Sequence, residues 1–321
     1  LCLGTMLFGG ATPEAEARRI VDHAVANGVN FIDTANAYVE GKSEEVLAGA
    51  ISGRRDKIVL ATKVGNAVGQ GQNDKGLNRI HVVRELENSL KRLKTDYVDL
   101  YYVHKIDPDT AWAEVVDTFG SLVRQGKIRA WGLSNVRSWH IAEIAHLCRE
   151  GAQPAPTALQ PYYNLMNRQP EIELLPAARN YGLGVVPYSP IARGILSGKY
   201  QPNAVPPAES RAGRKDRRML ESEWRPESIL IADKLRKHAE TRGISLVAWA
   251  TAWVLNNASV SAAIAGPRTI EQWTSYFPAL GFAWSKDDEA LANSLVATGH
   301  PSTPGYNDPQ YPIEGRFARI A

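Results

Sequence analysis

The sequence predicts an α/β protein closed into a (β/α)8 TIM barrel. Short apolar, β-branched runs alternate with helical patterns from the first residue to about Leu280, and there are eight such runs. The runs are continuously apolar rather than alternating, which suits parallel strands covered on both faces. Eight strand–helix repeats argue for a closed barrel over an open sheet, although the count alone also permits a doubly wound fold. A single α/β barrel takes about 250 residues or more, so the expectation is one domain over residues 1–321.

The candidate strands are Leu1–Gly4, Val29–Asp33, Lys57–Thr62, Tyr97–Val103, Ile128–Gly132, Thr157–Gln160, Gly184–Pro187 and Val260–Ala265. After the first, Thr12 reads as an N-cap with Pro13 at the first helical position. Ala17, Ile20, Val21, Ala24 and Val25 form an apolar stripe, and Gly28 stops the helix. Ser43 reads as the next cap, with Glu44 and Glu45 in a first turn that favours acids. Leu86, Leu90 and Leu93 have helical spacing within Ile80–Lys94. Further helices fit Asp109–Gln125, Ser138–Glu150, Glu171–Asn180, Pro226–Arg242 and Thr269–Leu280. Three long irregular stretches remain: Val64–Asn78, Gln201–Arg225 and Thr298–Ala321. Such loops are usually functional or disordered. Gln201–Arg225 is rich in Pro, Glu and Arg, the composition of a mobile segment.

Composition narrows the function classes. The chain is 44% hydrophobic and 22% charged, enough for a substantial core. Its net charge of +3 is spread along the chain, whereas a nucleic-acid binder shows a concentrated basic stripe. The one dense basic stretch, Arg211–Arg218, has acidic flanks and reads as a solvated loop. Cys2 and Cys148 stand far apart in no paired spacing, which argues against a disulfide framework or zinc site and favours a reducing compartment. No apolar run reaches bilayer length and no signal peptide is visible. The expectation is a cytoplasmic protein with neither nucleic-acid nor membrane partners. The sequence starts at Leu1 inside an apolar run, and nothing in it reports an oligomeric state.

In a barrel of this kind, chemistry sits just past the C-terminal ends of the strands. Those ends carry Asp33 and Tyr38 after the second strand, Lys63 after the third and His104 after the fourth. Ser134 and Asn135 follow the fifth, Gln160 ends the sixth, Tyr188 follows the seventh, and Gly266 and Arg268 follow the eighth. Singly, each has an ordinary reading: a turn-forming aspartate, a packing tyrosine, a solvated lysine, a hydrogen-bonded structural histidine. On successive strand ends they form a set with chemical sense. Tyrosine, with a reference pKa of about 10, is a weak acid at neutral pH. A neighbouring ammonium favours its phenolate and lowers that value. Asp33 supplies the counter-ion for Lys63, and His104 can hydrogen-bond a substrate oxygen. Tyr38 then protonates a developing alkoxide as hydride arrives. No side chain provides hydride, so a nicotinamide cofactor is required. The rival is a metal-dependent hydrolase. Seven histidines are present (His23, His81, His104, His140, His146, His238 and His300), but only His104 falls at a strand end, with no HxH or HExxH spacing.

These residues sit in blocks that resemble the aldo-keto reductases over essentially the whole chain. The blocks are NFIDTANAY (30–38), GKSEEVLAGAI (41–51), SLKRLKTDYVDLYYVHKIDPDT (89–110), GKIRAWGLSN (126–135), LQPYYNLMNR (159–168), VPYSPIARGILSGKY (186–200) and IAGPRTIEQ (264–272). The resemblance implies NADPH-dependent reduction of a small-molecule aldehyde or ketone, with a tetrad of Asp33, Tyr38, Lys63 and His104. It implies Thr5 and Met6 near the nicotinamide ribose. Ser134, Asn135 and Gln160 would bond the carboxamide, and Tyr188 would stack on the ring. The backbone and side chains of Ile191–Lys199, among them Ile191, Gly194, Leu196, Gly198 and Lys199, would contact the pyrophosphate, with Ser189 and Gly266 also at the cofactor. Arg268 would face the 2′-phosphate, which arginine suits through charged, bidentate bonds, with Gln272 near adenine. Some barrels of this family serve instead as cofactor-sensing channel subunits, and an intact tetrad is compatible with that alternative. Two features stand against the family pattern: Tyr276 is found where the family often has asparagine, and the sequence given begins inside the first strand, so the family's opening β-hairpin is either absent or lies before Leu1. Trp112, Trp224, Trp273, Tyr306 and Tyr311 are the aromatic candidates for lining a substrate pocket.

Overall fold

Apolar runs buried on both faces need sheet neighbours at both edges, and parallel neighbours need a crossover. The computed structural model, which describes residues 1–313, meets both demands. Its strands are β1 Cys2–Gly4, β2 Phe31–Asp33, β3 Val59–Val64, β4 Val98–Val103, β5 Ile128–Ser134, β6 Ala158–Gln160, β7 Gly184–Val185 and β8 Ile264–Ala265. They pair in parallel, in chain order, with β8 against β1. The last edge closes through parallel bridges between Val185 and Val260 and between Tyr188 and Ile264. The Ser261 and Ile264 amides donate there to the Val185 and Pro187 carbonyls, at 2.8 and 2.9 Å. The expected eight-stranded barrel is therefore present.

The helices are α1 Glu14–Ala26, α2 Lys42–Ile51, α3 Arg79–Leu93, α4 Trp112–Arg124, α5 Ser138–Glu150, α6 Leu174–Asn180, α7 Arg217–Ser222, α8 Pro226–Thr241, α9 Leu246–Leu255, α10 Ile270–Thr274 and α11 Lys286–Leu295. Ala17, Ile20, Val21 and Ala24 of α1 face the core as the stripe predicts. Alternate strand residues divide two cores. Tyr101, Val103 and Trp131 pack into the layer beneath the helices, whereas Ala61, Leu100, Tyr102 and Ala158 form a separate cluster inside the barrel.

Several local expectations are corrected. Thr12 caps nothing: Pro13 holds the N-cap position, and the Thr12 hydroxyl donates to the Arg268 carbonyl at 3.0 Å. Ser43 lies inside α2 behind a Gly41 cap, and its hydroxyl donates to the Thr5 carbonyl at 2.8 Å. Both side chains tie neighbouring segments together at the strand-end pole, a tertiary use that local sequence does not announce. Helix α9 is not predicted. Trp249, Thr251 and Trp253 are buried along with nearly every other residue of it, so it carries no polar stripe for a 3.6-residue period to reveal. Helix α11 is also new; Ser285 caps it reciprocally with Asp288. The Gln201–Arg225 stretch is not wholly irregular. It contains α7 and buries Ser210, Ala212, Met219, Ser222 and Glu223. Residues 314–321 of the expected C-terminal segment lie outside the described residues.

Candidate active site

Parallel strands all end at one pole, so their last residues share one mouth. Asp33 closes β2, Lys63 is the penultimate residue of β3, and His104 follows β4 directly. Ser134 and Gln160 end β5 and β6 in register with each other. The structure brings Asp33, Tyr38, Lys63 and His104 together. The Lys63 ammonium is fully buried and forms an ion pair with Asp33. It also donates to the Thr34 carbonyl at 2.8 Å and to the Tyr38 hydroxyl at 3.2 Å. The second Asp33 oxygen accepts the Gln160 amide at 2.9 Å. The His104 ring stands edge-on to Tyr38, centroids 5.8 Å apart. Its Nδ1 lies 3.0 Å from the Asn66 amide nitrogen.

Burial dominates the electrostatics of this nook. It pushes the Tyr38 phenol above its ordinary value, and the opposing pull of Lys63 does not overcome it. The expected lowering of that pKa is corrected: the phenol is held protonated. Burial works against the Lys63 charge, but Asp33 and then Tyr38 more than offset it, so the ammonium is retained. Burial pushes the Asp33 carboxyl up, opposed by Lys63 and Gln160. His104 is driven well below the usual histidine range by burial, Lys63 and Lys105, leaving a neutral imidazole at neutral pH.

A cavity of about 990 Å3 opens beside these groups, with Tyr38, Asn66 and His104 in its wall. The model of the aldo/keto reductase family matches residues 1–297. The chain belongs to that family. It is 38% identical over 316 residues to an uncharacterized oxidoreductase, YrpG, of Bacillus subtilis (strain 168), covering 95% of this chain and 94% of that protein. It is also similar to two proteins named probable voltage-gated potassium channel subunit beta. The one from Oryza sativa subsp. japonica is 36% identical and the one from Arabidopsis thaliana 35%, each over 81% of this chain and 80% of the relative. Members of this reductase family generally use a nicotinamide cofactor.

Of the positions to which the family resemblance points for cofactor, thirteen line the cavity: Thr5, Met6, Ser134, Asn135, Gln160, Tyr188, Ser189, Ile191, Gly194, Lys199, Gly266, Arg268 and Gln272. Two do not. Leu196 is fully buried in the core, and Gly198 closes a turn against the side chain of Arg236. Several of the thirteen already hold one another. The Tyr188 hydroxyl donates to Asn135 Oδ1 at 2.9 Å, with its ring stacked on Tyr162. The Ser134 hydroxyl donates to the Gln160 carbonyl at 2.8 Å. The Gln272 amide oxygen accepts the Arg268 backbone N–H at 2.8 Å.

The wall also carries cations that sequence reasoning missed: Arg211, Arg214 and Arg218 line the cavity with Arg193, Lys199 and Arg268. Burial, Arg211, Arg268 and Arg214 together lower the Lys199 pKa. The basic stretch is therefore cavity wall in part, through Arg211, Arg214 and Arg218, while Lys215 and Arg217 are exposed as a solvated loop predicts; its density of arginines was the available signal. Among the described residues Arg193, Lys199, Arg214 and Arg268 form no ion pair, while Arg211 pairs with Asp216 and Arg218 with Asp308. This donor set suits phosphates. Gly194 has φ +103°, and a Cβ there would stand 3.2 Å from the Lys199 ammonium, so its bareness admits that cation. Of the aromatic candidates only Tyr311 faces the cavity. Trp273 is fully buried, Trp112 packs on His140, Trp224 on Tyr200, and Tyr306 lies under Arg225. Among the described residues no cluster of three or more His, Cys, Asp or Glu could hold a metal ion, and no helix is long and apolar enough to cross a membrane.

Proposed function

We propose that this chain transfers hydride from NADPH to an aldehyde or ketone, giving an alcohol in a reversible reaction, with Tyr38 as general acid. The observation that carries the reading is the buried Lys63 ammonium, paired with Asp33 and 3.2 Å from the Tyr38 hydroxyl beside the cavity. The bound nicotinamide supplies the hydride. Tyr38 keeps its proton until a substrate oxygen gains charge, then releases it. Lys63 stabilises the phenolate left behind, and Asp33 keeps Lys63 charged. Neutral His104 orients the carbonyl by a hydrogen bond. The phosphate-suited wall of Lys199, Arg211, Arg214 and Arg268 supports NADPH over NADH. The proposal takes residues 1–321 as one barrel domain and a cytoplasmic location, which two free buried cysteines favour.

A second reading, a cofactor-sensing regulatory subunit, is favoured by the relatives named as channel β subunits. One experiment separates them. Purified protein is mixed with NADPH or NADH and a broad carbonyl panel, and loss of reduced-cofactor absorbance is followed. Turnover that disappears in Tyr38→Phe, with NADPH binding retained, is the expected result. Tight NADPH binding with no turnover on any carbonyl would replace the enzyme reading with the sensor.

A further inference from the structure

The role proposed for His104, on which this inference rests, demands a hydrogen on a particular ring nitrogen. A neutral imidazole has one N–H and one lone pair, and the partner of one nitrogen fixes the duty of the other. His104 is held from several sides. Its backbone N–H donates to the Val64 carbonyl at 2.8 Å, its own carbonyl accepts the Asn135 amide at 2.8 Å, and its ring packs edge-on against Tyr38. Among the described residues, the charged and titratable groups around the ring are Lys63 from β3, Lys105 from the segment after β4, and Tyr38. Both ammonium groups oppose a second proton on the imidazole. Its tautomer is then decided by whatever faces Nδ1.

That group is the amide nitrogen of Asn66, 3.0 Å away. Asn66 also lines the cavity, just past the end of β3. Its position is built into the backbone. The preceding Gly65 has φ +128°, which side chains rarely adopt, and a Cβ there would crowd Leu77 at 3.3 Å. The Gly65 carbonyl accepts the Gly76 N–H at 3.3 Å, tying the start of the loop to its far side.

We propose that Asn66 is a positioning residue whose amide nitrogen donates to His104 Nδ1, holding the imidazole as the tautomer with its hydrogen on Nε2. That hydrogen, across the ring from Asn66, is the donor for the substrate carbonyl oxygen. An amide turned the other way would accept from Nδ1–H and leave a lone pair on Nε2, which repels a carbonyl oxygen. The orientation of one surface-loop amide thus decides whether His104 attracts or repels the substrate.

The test reads the tautomer directly. Full-length protein labelled with 15N-histidine is examined by long-range 1H–15N spectroscopy at pH 7, and the His104 signal is identified by its loss in His104→Gln. The expected wild-type pattern is a neutral ring with unprotonated Nδ1 and hydrogen on Nε2. Asn66→Ala should move the signal toward a tautomer mixture and lower kcat about tenfold, the loss of one hydrogen bond to a working group, with NADPH affinity unchanged. Asn66→Asp places an acceptor opposite Nδ1; the ring should then carry hydrogen on Nδ1, and its titration should move up in pH as an inflection in kcat/KM. A wild-type ring protonated on Nδ1, or an Asn66→Ala spectrum identical to wild type, overturns the assignment. The spectrum needs no substrate. Absent carbonyl turnover with the expected wild-type tautomer would remove the proposed reaction and leave the Asn66 assignment standing.

Discussion

The two sides of this cavity handle positive charge in opposite ways. At the strand ends, Lys63 is sealed from solvent and its charge is answered inside the fold by Asp33. On the wall formed by the segments after β7 and β8, Lys199, Arg214 and Arg268 stand without ion-pair partners among the described residues. The difference follows from solvent. An isolated charge in a dry interior costs far more than the fold can bear, so its partner must be part of the chain. A cation on a wetter wall is hydrated and can await an anion that arrives from outside. On the proposed function, the first arrangement preorganises chemistry and the second prepares binding.

The comparison can be broken most directly by removing the proposed acid. Tyr38→Phe should lower kcat by about 10³-fold while NADPH affinity changes less than about threefold; steady-state kinetics and cofactor titration read both, and retention of most activity would remove Tyr38 from the role. Asp33→Ala leaves the Lys63 ammonium buried and unpaired. It should cost roughly 3–5 kcal/mol in urea unfolding, and a loss under about 1 kcal/mol would mean that water already reaches Lys63. Arg268→Ala probes the other wall. It should weaken NADPH roughly 10- to 100-fold and NADH by less than about threefold; equal losses would end the 2′-phosphate assignment. Salt should sharpen the contrast further. Raising it from about 0.05 to 0.5 M should weaken NADPH severalfold by screening the open wall, and leave single-turnover chemistry nearly unchanged. The smallest effect is an absence. His104 has its pKa lowered, so it is neutral at every pH above the usual histidine range, and kcat/KM between pH 6 and 8 should show no histidine inflection. An inflection near 6.5 that vanishes in His104→Gln would show the ring is not driven down.

Much of this was legible in the chain. The eight apolar runs located every strand, and Asp33, Lys63, His104 and Gln160 fell at or beside strand ends where they were expected. What stayed hidden had specific causes. Helix α9 is buried on nearly all faces and has no stripe to read. Thr12 and Ser43 look like helix caps because their local neighbours are right, yet their hydroxyls serve Arg268 and Thr5, 256 and 38 positions away. Arg211 and Arg214 look like solvated charges because composition carries no direction. The direction of the Tyr38 shift was misjudged because the lysine is visible in the sequence and the depth of burial is not.

By itself, then, the sequence determined the eightfold repeat that argues for a barrel and which residue types stand at each strand end, because periodicity and strand limits are local properties of the chain. Only the tertiary structure decided which charges are dry and paired and which are open, that the phenol keeps its proton, and that a loop asparagine meets the histidine ring. Those depend on desolvation and on distances between residues far apart in the chain, and neither quantity is written in local order.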